Sequence, residues 1–147
     1  MEPRTYAVTR ADLVAYARAS GDQNPIHQDE EVARSVGLPG VIAHGMYTLA
    51  LAARYVDEEV GEPGRIAQIG AKFTRPVVVP EEGTEVVVGD RLTATLTVSS
   101  LRQIAGADII TTSSAVTDHD GGLVCTAEAT LVHKSPTGGA PTGEAGE

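Results

Sequence analysis

The chain of 147 residues has no tryptophan, one phenylalanine and one cysteine, and only two of its eleven basic residues are lysines. Because Cys125 has no partner within the chain, an internal disulfide framework and a thiolate metal cluster are both excluded. With so few aromatic residues, valine, leucine, isoleucine and alanine must fill the core. The formal net charge of -9 argues against nucleic acid or an anionic membrane as a partner.

Long hydrophobic runs are also missing. The first four residues contain no apolar segment of the kind found in secretory signals. The longest largely apolar run, residues 46–53, is far shorter than the roughly 20 residues that span a bilayer. A cytoplasmic protein is therefore expected, with one domain over residues 1–134. Residues 135–147, rich in Gly, Pro, Thr and Glu, are expected to form a disordered tail.

The apolar spacing of the first 60 residues predicts helices. Thr9 followed by Asp12 resembles a capping box at the start of the first helix, and Asp29 caps the second. The first half of the third helix carries apolar residues on every side, so we expect the rest of the chain to wrap it. The predicted helices cover residues 10–19, 30–36 and 45–60.

After residue 65 the apolar period changes from that of a helix to that of a strand. The segment Asp118-His-Asp-Gly-Gly122 has the composition of a hairpin turn between the last two strands. Helices followed by antiparallel strands predict an α+β fold, with the strands curled around the third helix. The predicted strands cover residues 5–8, 69–73, 91–98, 107–117 and 123–132.

A carboxylate and an imidazole, Asp22 and His27, lie five residues apart across an Asn24-Pro25 turn. Each alone could be structural, as a turn carboxylate and a core histidine. Pro25, however, fixes its own φ and restricts the residue before it, so the loop would hold both groups in place. Proton transfer requires such fixed positions. Asn24 and Ser20 are the candidates to support this pair.

A second element, His44-Gly45, opens the third helix. A glycine there exposes an unpaired backbone N–H at the positive end of the helix dipole, where an enolate-like oxygen could bind. The structural alternative is that Gly45 serves only close packing.

Metal binding and nucleophilic catalysis are less well supported by the sequence. The spacing of Asp22, His27, Asp29 and His44 fits no compact ligand motif, so no metal site is predicted. Cys125 lies within an alternating strand and is expected to be a small buried hydrophobe rather than a nucleophile.

Two segments, Ser20-Gly-Asp-Gln-Asn-Pro-Ile-His27 and Ile42-Ala-His-Gly-Met46, resemble the hydratase-2 motif of MaoC-like proteins. Lys72-Phe-Thr-Arg-Pro-Val77 is similar to the strand that follows the central helix in that family. Within that family the chain resembles the catalytic B subunit of the actinobacterial (3R)-hydroxyacyl-acyl carrier protein dehydratase. This resemblance implies a hot-dog fold, in which a curved antiparallel sheet wraps one central helix. It also implies a homodimer, or a heterodimer with a related hot-dog subunit.

The resemblance further implies a hydro-lyase of fatty-acid metabolism that interconverts (3R)-3-hydroxyacyl and trans-2-enoyl thioesters. The acyl group would be carried on CoA or on the phosphopantetheine of an acyl carrier protein, with no other cofactor. A hot-dog thioesterase and a non-catalytic acyl-binding subunit are the alternatives. Ala53 stands where some relatives have a serine, and this difference removes a polar contact from the central helix. By this resemblance the acid/base dyad is Asp22 and His27, and the oxyanion donor is the N–H of Gly45. The residues that support them are Ser20, Asn24 and His44. The residues expected to contact substrate are Met46, Lys72, Phe73 and Arg75.

Overall fold

A computed structural model of the chain describes residues 2–61, 65–89, 97–104 and 107–134. The expected tail and most of the predicted strand 91–98 lie outside these ranges. One turn of 3₁₀ helix, Pro25–His27, lies between the first two helices. The elements in chain order are β1 (Arg4–Val8), α1 (Arg10–Ser20), α2 (Glu30–Ser35), α3 (Gly45–Val60), β2 (Ile66–Phe73), β3 (Thr84–Gly89), β4 (Thr97–Ile104), β5 (Ala107–Asp118) and β6 (Leu123–Lys134).

The helix ends follow the capping residues that the sequence indicated. Thr9 Oγ1 accepts a hydrogen bond from Asp12 N–H at 3.1 Å, and Asp12 Oδ2 accepts one from Thr9 N–H at 2.9 Å. Gly21 ends α1 in the left-handed conformation, with φ of 80°, a conformation that favours glycine. The three predicted helices are therefore confirmed to within one residue at each end. No helix in the described ranges is both long and apolar enough to cross a membrane.

The described strands form one antiparallel sheet with the order β1-β3-β5-β6-β2. The long β5 strand pairs along its length with β6. On its other side it pairs first with β4 and then, from Ala115 to Asp118, with β3. The strand β3 was not predicted, because its consecutive valines show no alternation of apolar and polar residues.

Helix α3 packs against β2, β3, β5 and β6, so the sheet covers one side of it. Met46 at its start is nevertheless 61% exposed, and Ala50 is exposed one turn later. The expectation that the first half of α3 would be wrapped on every side is therefore wrong for the single chain. A single sheet can cover only one side of a helix, and here that side is the stripe Thr48, Leu51, Ala52, Tyr55 and Val56.

The outer end of α3 is joined to the edge strand β1 by a charged network. Arg4 donates to the carboxylates of Glu58 and Glu59 at 3.0 and 2.8 Å. Tyr6 Oη donates to Glu58 Oε2 at 2.9 Å, and the guanidinium of Arg54 lies over the Tyr6 ring. Burial of the Tyr6 hydroxyl and its contact with Glu58 raise the pKa of Tyr6. These contacts hold α3 at a fixed angle to the sheet.

Candidate active site

The loop from Ser20 to His27 is held by hydrogen bonds from its own side chains. Ser20 Oγ accepts from Asp22 N–H at 3.2 Å, and Asp22 Oδ1 accepts from Asn24 N–H at 3.2 Å. Asn24 Oδ1 in turn accepts from Ile26 N–H at 3.2 Å and so caps the 3₁₀ turn. Ser20 and Asn24 thus fix the backbone on both sides of Asp22.

The His27 ring is buried and has a defined tautomer. Its Nδ1 lies 2.7 Å from the carbonyl oxygen of Ile42, which can only accept, so Nδ1 carries the hydrogen. In the neutral ring Nε2 then presents a lone pair, and it lies 4.0 Å from Asp22 Oδ2. That distance is too long for a direct hydrogen bond. The pair is accessible to solvent on the side of Asp22, whose side chain is 53% exposed.

The carbonyl that orients His27 belongs to a short segment held on both sides. Ile42 N–H donates to Ile26 O at 3.2 Å, which joins the segment to the loop. On its other side Ala43 N–H donates to Val77 O at 2.9 Å. Ile42 also forms an isolated antiparallel bridge with Val78. The position of His27 thus depends on backbone contacts that reach to the segment after β2.

Gly45 begins α3 without a side-chain cap. The residue before it, His44, makes no capping hydrogen bond, and the first intrahelical N–H donors are those of Tyr47 and Thr48, both directed at His44 O. The N–H groups of Gly45 and Met46 precede this pattern and lie at the positive end of the helix dipole. Gly45 is exposed, and a Cβ at this position would lie 3.3 Å from Phe73 Cζ.

His44 joins these two parts of the site. Its ring, 1% exposed, stacks on the His27 ring with centroids 3.8 Å apart and planes at 22°. Its Nε2 lies 3.1 Å from the backbone carbonyl oxygen of Asp22. The structure therefore brings Asp22, His27, His44 and the start of α3 into one site.

Two of the four residues expected to contact substrate, Phe73 and Met46, lie beside the start of α3. Phe73 packs against Gly45 and is 46% exposed, and Met46 is the next residue of the helix. Lys72 is exposed at the end of β2, and because it directly precedes Phe73 in the strand, its side chain lies on the opposite face of the sheet. Their contact with substrate stays a prediction.

Arg75, the fourth, has a different neighbour. Its guanidinium pairs with the Asp118 carboxylate at the β5–β6 hairpin. Both residues line a surface cleft of about 360 Å³, together with Pro76, His119 and others. Among the residues described as lining this cleft, none belongs to the Asp22–His27 loop. The charge of Arg75 is thus already matched by a carboxylate.

We expect Asp118→Asn to lower the melting temperature at pH 7. Burial opposes ionisation of Asp118, but hydrogen bonds from Gly122 N–H and Arg75 outweigh it and lower its pKa. A carboxyl whose pKa is lowered by folding adds stability above its unfolded pKa of about 3.9, and this stability is lost as the pH falls through the folded value. Thermal melts of both proteins from pH 7 to pH 2.5 should converge at the acid end. A constant difference would contradict this.

Asp22, His27 and His44 also place ligand-type atoms within 4.8 Å of one another. Stacked imidazoles keep their lone pairs in two nearly parallel planes, whereas a metal bound to both rings must lie in both ring planes. One nitrogen of each ring, moreover, already donates to a backbone carbonyl. This geometry suits proton transfer better than metal binding.

Two contributors to the site have no clear sequence signal. The carbonyl of Ile42 is a main-chain group, so residue type does not reveal it. Tyr16 of α1 packs edge-to-face with the His44 ring, with centroids 4.9 Å apart. Both contacts depend on how distant segments meet.

Comparisons with known proteins agree with this architecture. A family model described as the MaoC like domain matches residues 1–119. The UPF0336 protein of Clavibacter michiganensis subsp. michiganensis is 37% identical over 130 residues, which are 86% of this chain and 85% of that protein.

Solved structures of this architecture include two enzymes. The (R)-hydratase from A. caviae involved in PHA biosynthesis superposes with a TM-score of 0.74 at 26% identity, covering 90% of this chain and 92% of that one. The C-terminally truncated HadBC (3R-hydroxyacyl-ACP dehydratase) complex from Mycobacterium tuberculosis gives 0.68 at 25% identity, covering 88% and 90%. The fold is therefore the hot-dog fold that the resemblance implied, and the chain belongs to the MaoC-like dehydratase family.

Proposed function

We propose that the protein catalyses the reversible hydration of trans-2-enoyl thioesters to (3R)-3-hydroxyacyl thioesters. This proposal is carried by the juxtaposition of His27 Nε2 and Asp22 Oδ2, which lie 4.0 Å apart, with the uncapped start of α3. His44 joins the two parts, because its ring stacks on His27 and the residue directly precedes Gly45. Membership in the MaoC-like family and the similarity to two enzymes of this fold, a hydratase and a dehydratase, support the same reaction class.

In the hydration direction, the dyad holds the water that reacts. Asp22 Oδ2, as a carboxylate, accepts a hydrogen bond and then the proton from this water, while the single exchangeable proton of the dyad lies on His27 Nε2, from which it passes to C2. The lone pairs of the water oxygen are then free to attack C3 of the enoyl group. Holding the water in this position removes most of the entropic cost of a bimolecular step.

The protons balance within the dyad. In dehydration, His27 Nε2 takes the proton from C2, and the C3 hydroxyl leaves as water with a proton from Asp22. The pair then returns to its starting state when one proton passes from His27 to Asp22. Hydration is the reverse, so the dyad acts as one unit that carries a single exchangeable proton.

The Gly45 N–H stabilises the charge that develops during this proton transfer. As the C2 proton leaves, negative charge builds on the thioester carbonyl oxygen. A donor at a helix N-terminus binds that oxygen more strongly in the transition state than in the ground state, which is what accelerates the reaction. A Cβ at position 45 would lie 3.3 Å from Phe73 Cζ, so a side chain there would crowd the space beside this N–H.

The site is completed by a second hot-dog subunit, either another copy or a related chain. Met46 and Phe73 expose apolar surface beside the reacting groups, where an acyl chain and a partner subunit would cover it. The HadBC complex is one heteromeric relative of this fold. The acyl carrier is CoA or an acyl carrier protein, and the exposed Lys72 at the end of β2 is one candidate cation for its phosphate.

Crotonyl-CoA tests the function directly. We expect the purified protein to remove the enoyl absorbance and to form 3-hydroxybutyryl-CoA of the R configuration, which chiral chromatography identifies. Release of free thiol would instead indicate a thioesterase. Absence of both reactions, with and without a related hot-dog partner added, would indicate a non-catalytic acyl-binding subunit. The mass in solution under each condition shows whether an inactive sample lacked its partner.

A further inference from the structure

We infer that His44 is a positioning residue that sets the geometry of the dyad through one specific tautomer, with its hydrogen on Nε2. This inference rests on the proposed function, because the geometry it sets matters only if Asp22 and His27 carry out proton transfer. His44 is not expected to touch the substrate. It acts on the two residues that do.

The tautomer follows from the contacts of the two ring nitrogens. Nε2 lies 3.1 Å from the Asp22 carbonyl oxygen, an obligatory acceptor, so the hydrogen on Nε2 is used. Nδ1 is buried and has no hydrogen-bond partner among the described residues. A hydrogen on Nδ1 would therefore be a buried donor without an acceptor, and the Asp22 carbonyl would lose its donor as well.

This tautomer is the opposite of that in His27, whose hydrogen lies on Nδ1. The His44 ring thus holds the backbone of Asp22 through Nε2, and its face packs against the His27 ring, which accepts the proton. Tyr16 of α1 packs edge-to-face with the His44 ring, so the stack is also in contact with α1. Since His44 is also the residue before Gly45, the same side chain connects all three reacting groups.

Two substitutions separate the hydrogen bond from the bulk of the ring. The amide of glutamine reaches the position of Nε2, whereas the shorter amide of asparagine reaches only that of Nδ1. We expect His44→Gln to keep kcat for crotonyl-CoA hydration within about tenfold of wild type. His44→Asn should lower kcat by about a hundredfold, as a displacement of about 1 Å in a catalytic group can do, with little change in KM. Melting temperatures show whether both variants are folded.

A measurement on the unmodified protein removes the dependence on folded variants. The chain has four histidines, so long-range proton–nitrogen correlation spectra of ¹⁵N-histidine-labelled protein can be assigned one ring at a time. We expect the protonated nitrogen to be Nε2 in His44 and Nδ1 in His27. The same tautomer in both rings, or equal kcat values for folded glutamine and asparagine variants, would refute the inference. If wild type fails to hydrate any enoyl thioester, the proposed function fails, while the tautomers still report on the geometry.

Discussion

Asp22→Asn and His27→Asn are each expected to lower kcat by at least about a hundredfold, the usual effect of losing a positioned acid or base. Asparagine is chosen at position 27 because its amide can donate to Ile42 O from the place of Nδ1, while nothing replaces the lone pair of Nε2. At position 22 the amide oxygen can still accept from Asn24 N–H. Both variants should therefore fold, and rates of crotonyl-CoA hydration at saturating substrate measure the chemistry.

The double variant tests whether the two residues act as one unit. If His27 and Asp22 exchange a single proton, removing either abolishes the same step, and the double variant should be no slower than the slower single variant. If the kcat losses of the two single variants multiply in the double variant, the two residues contribute independently. Near-normal turnover in either folded single variant would remove that residue from the dyad. His27→Ala, which loses the bond to Ile42 as well, shows how much of any change in melting temperature comes from that bond.

Local patterns accounted for the helices and for the loop of the dyad. The capping box at Thr9, the cap at Asp29 and the left-handed turn at Gly21 are interactions within four or five residues, so the sequence displays them directly. The strand β3 was missed because Val86 and Val88 are buried and Val87 between them is also apolar, which hides the period of two. The strand β4 extends beyond the predicted strand 91–98, because its pairing with β5 continues to Ile104, where apolar and polar residues no longer alternate in the sequence.

Contacts between distant segments were beyond the sequence. The stack of His44 on His27 joins residues seventeen apart, and it forms only because residues 41–43 lie between the loop and residues 77–79. The exposed face of α3 has the same origin. Apolar composition shows that a surface needs covering, but it does not show whether the same chain, a substrate or a second subunit covers it.

Gly45→Val is expected to lower kcat/KM for crotonyl-CoA by about a hundredfold or more while the protein stays folded. The loss corresponds to that of one oxyanion donor, because a branched side chain would cover the N–H that the carbonyl must reach. Valine is no worse than glycine within a helix, so the helix itself should not weaken. If Gly45 served only close packing, the melting temperature would fall first, and activity would fall in proportion to the unfolded fraction.

The neighbouring Phe73 ring allows this alternative to be measured. A Cβ at position 45 would lie 3.3 Å from Phe73 Cζ, and the ring is 46% exposed, so it has room to move outward. Phe73→Leu shortens the side chain at position 73, so combining it with Gly45→Val relieves this contact. Ala15→Val, at an exposed position of α1, is the control that shows how far a β-branched residue in a helix away from the site lowers the melting temperature. Activity that returns with Phe73→Leu would assign the loss to packing. If the Gly45 N–H stabilises the oxyanion, the double variant should be as stable as Phe73→Leu alone and should still lack activity.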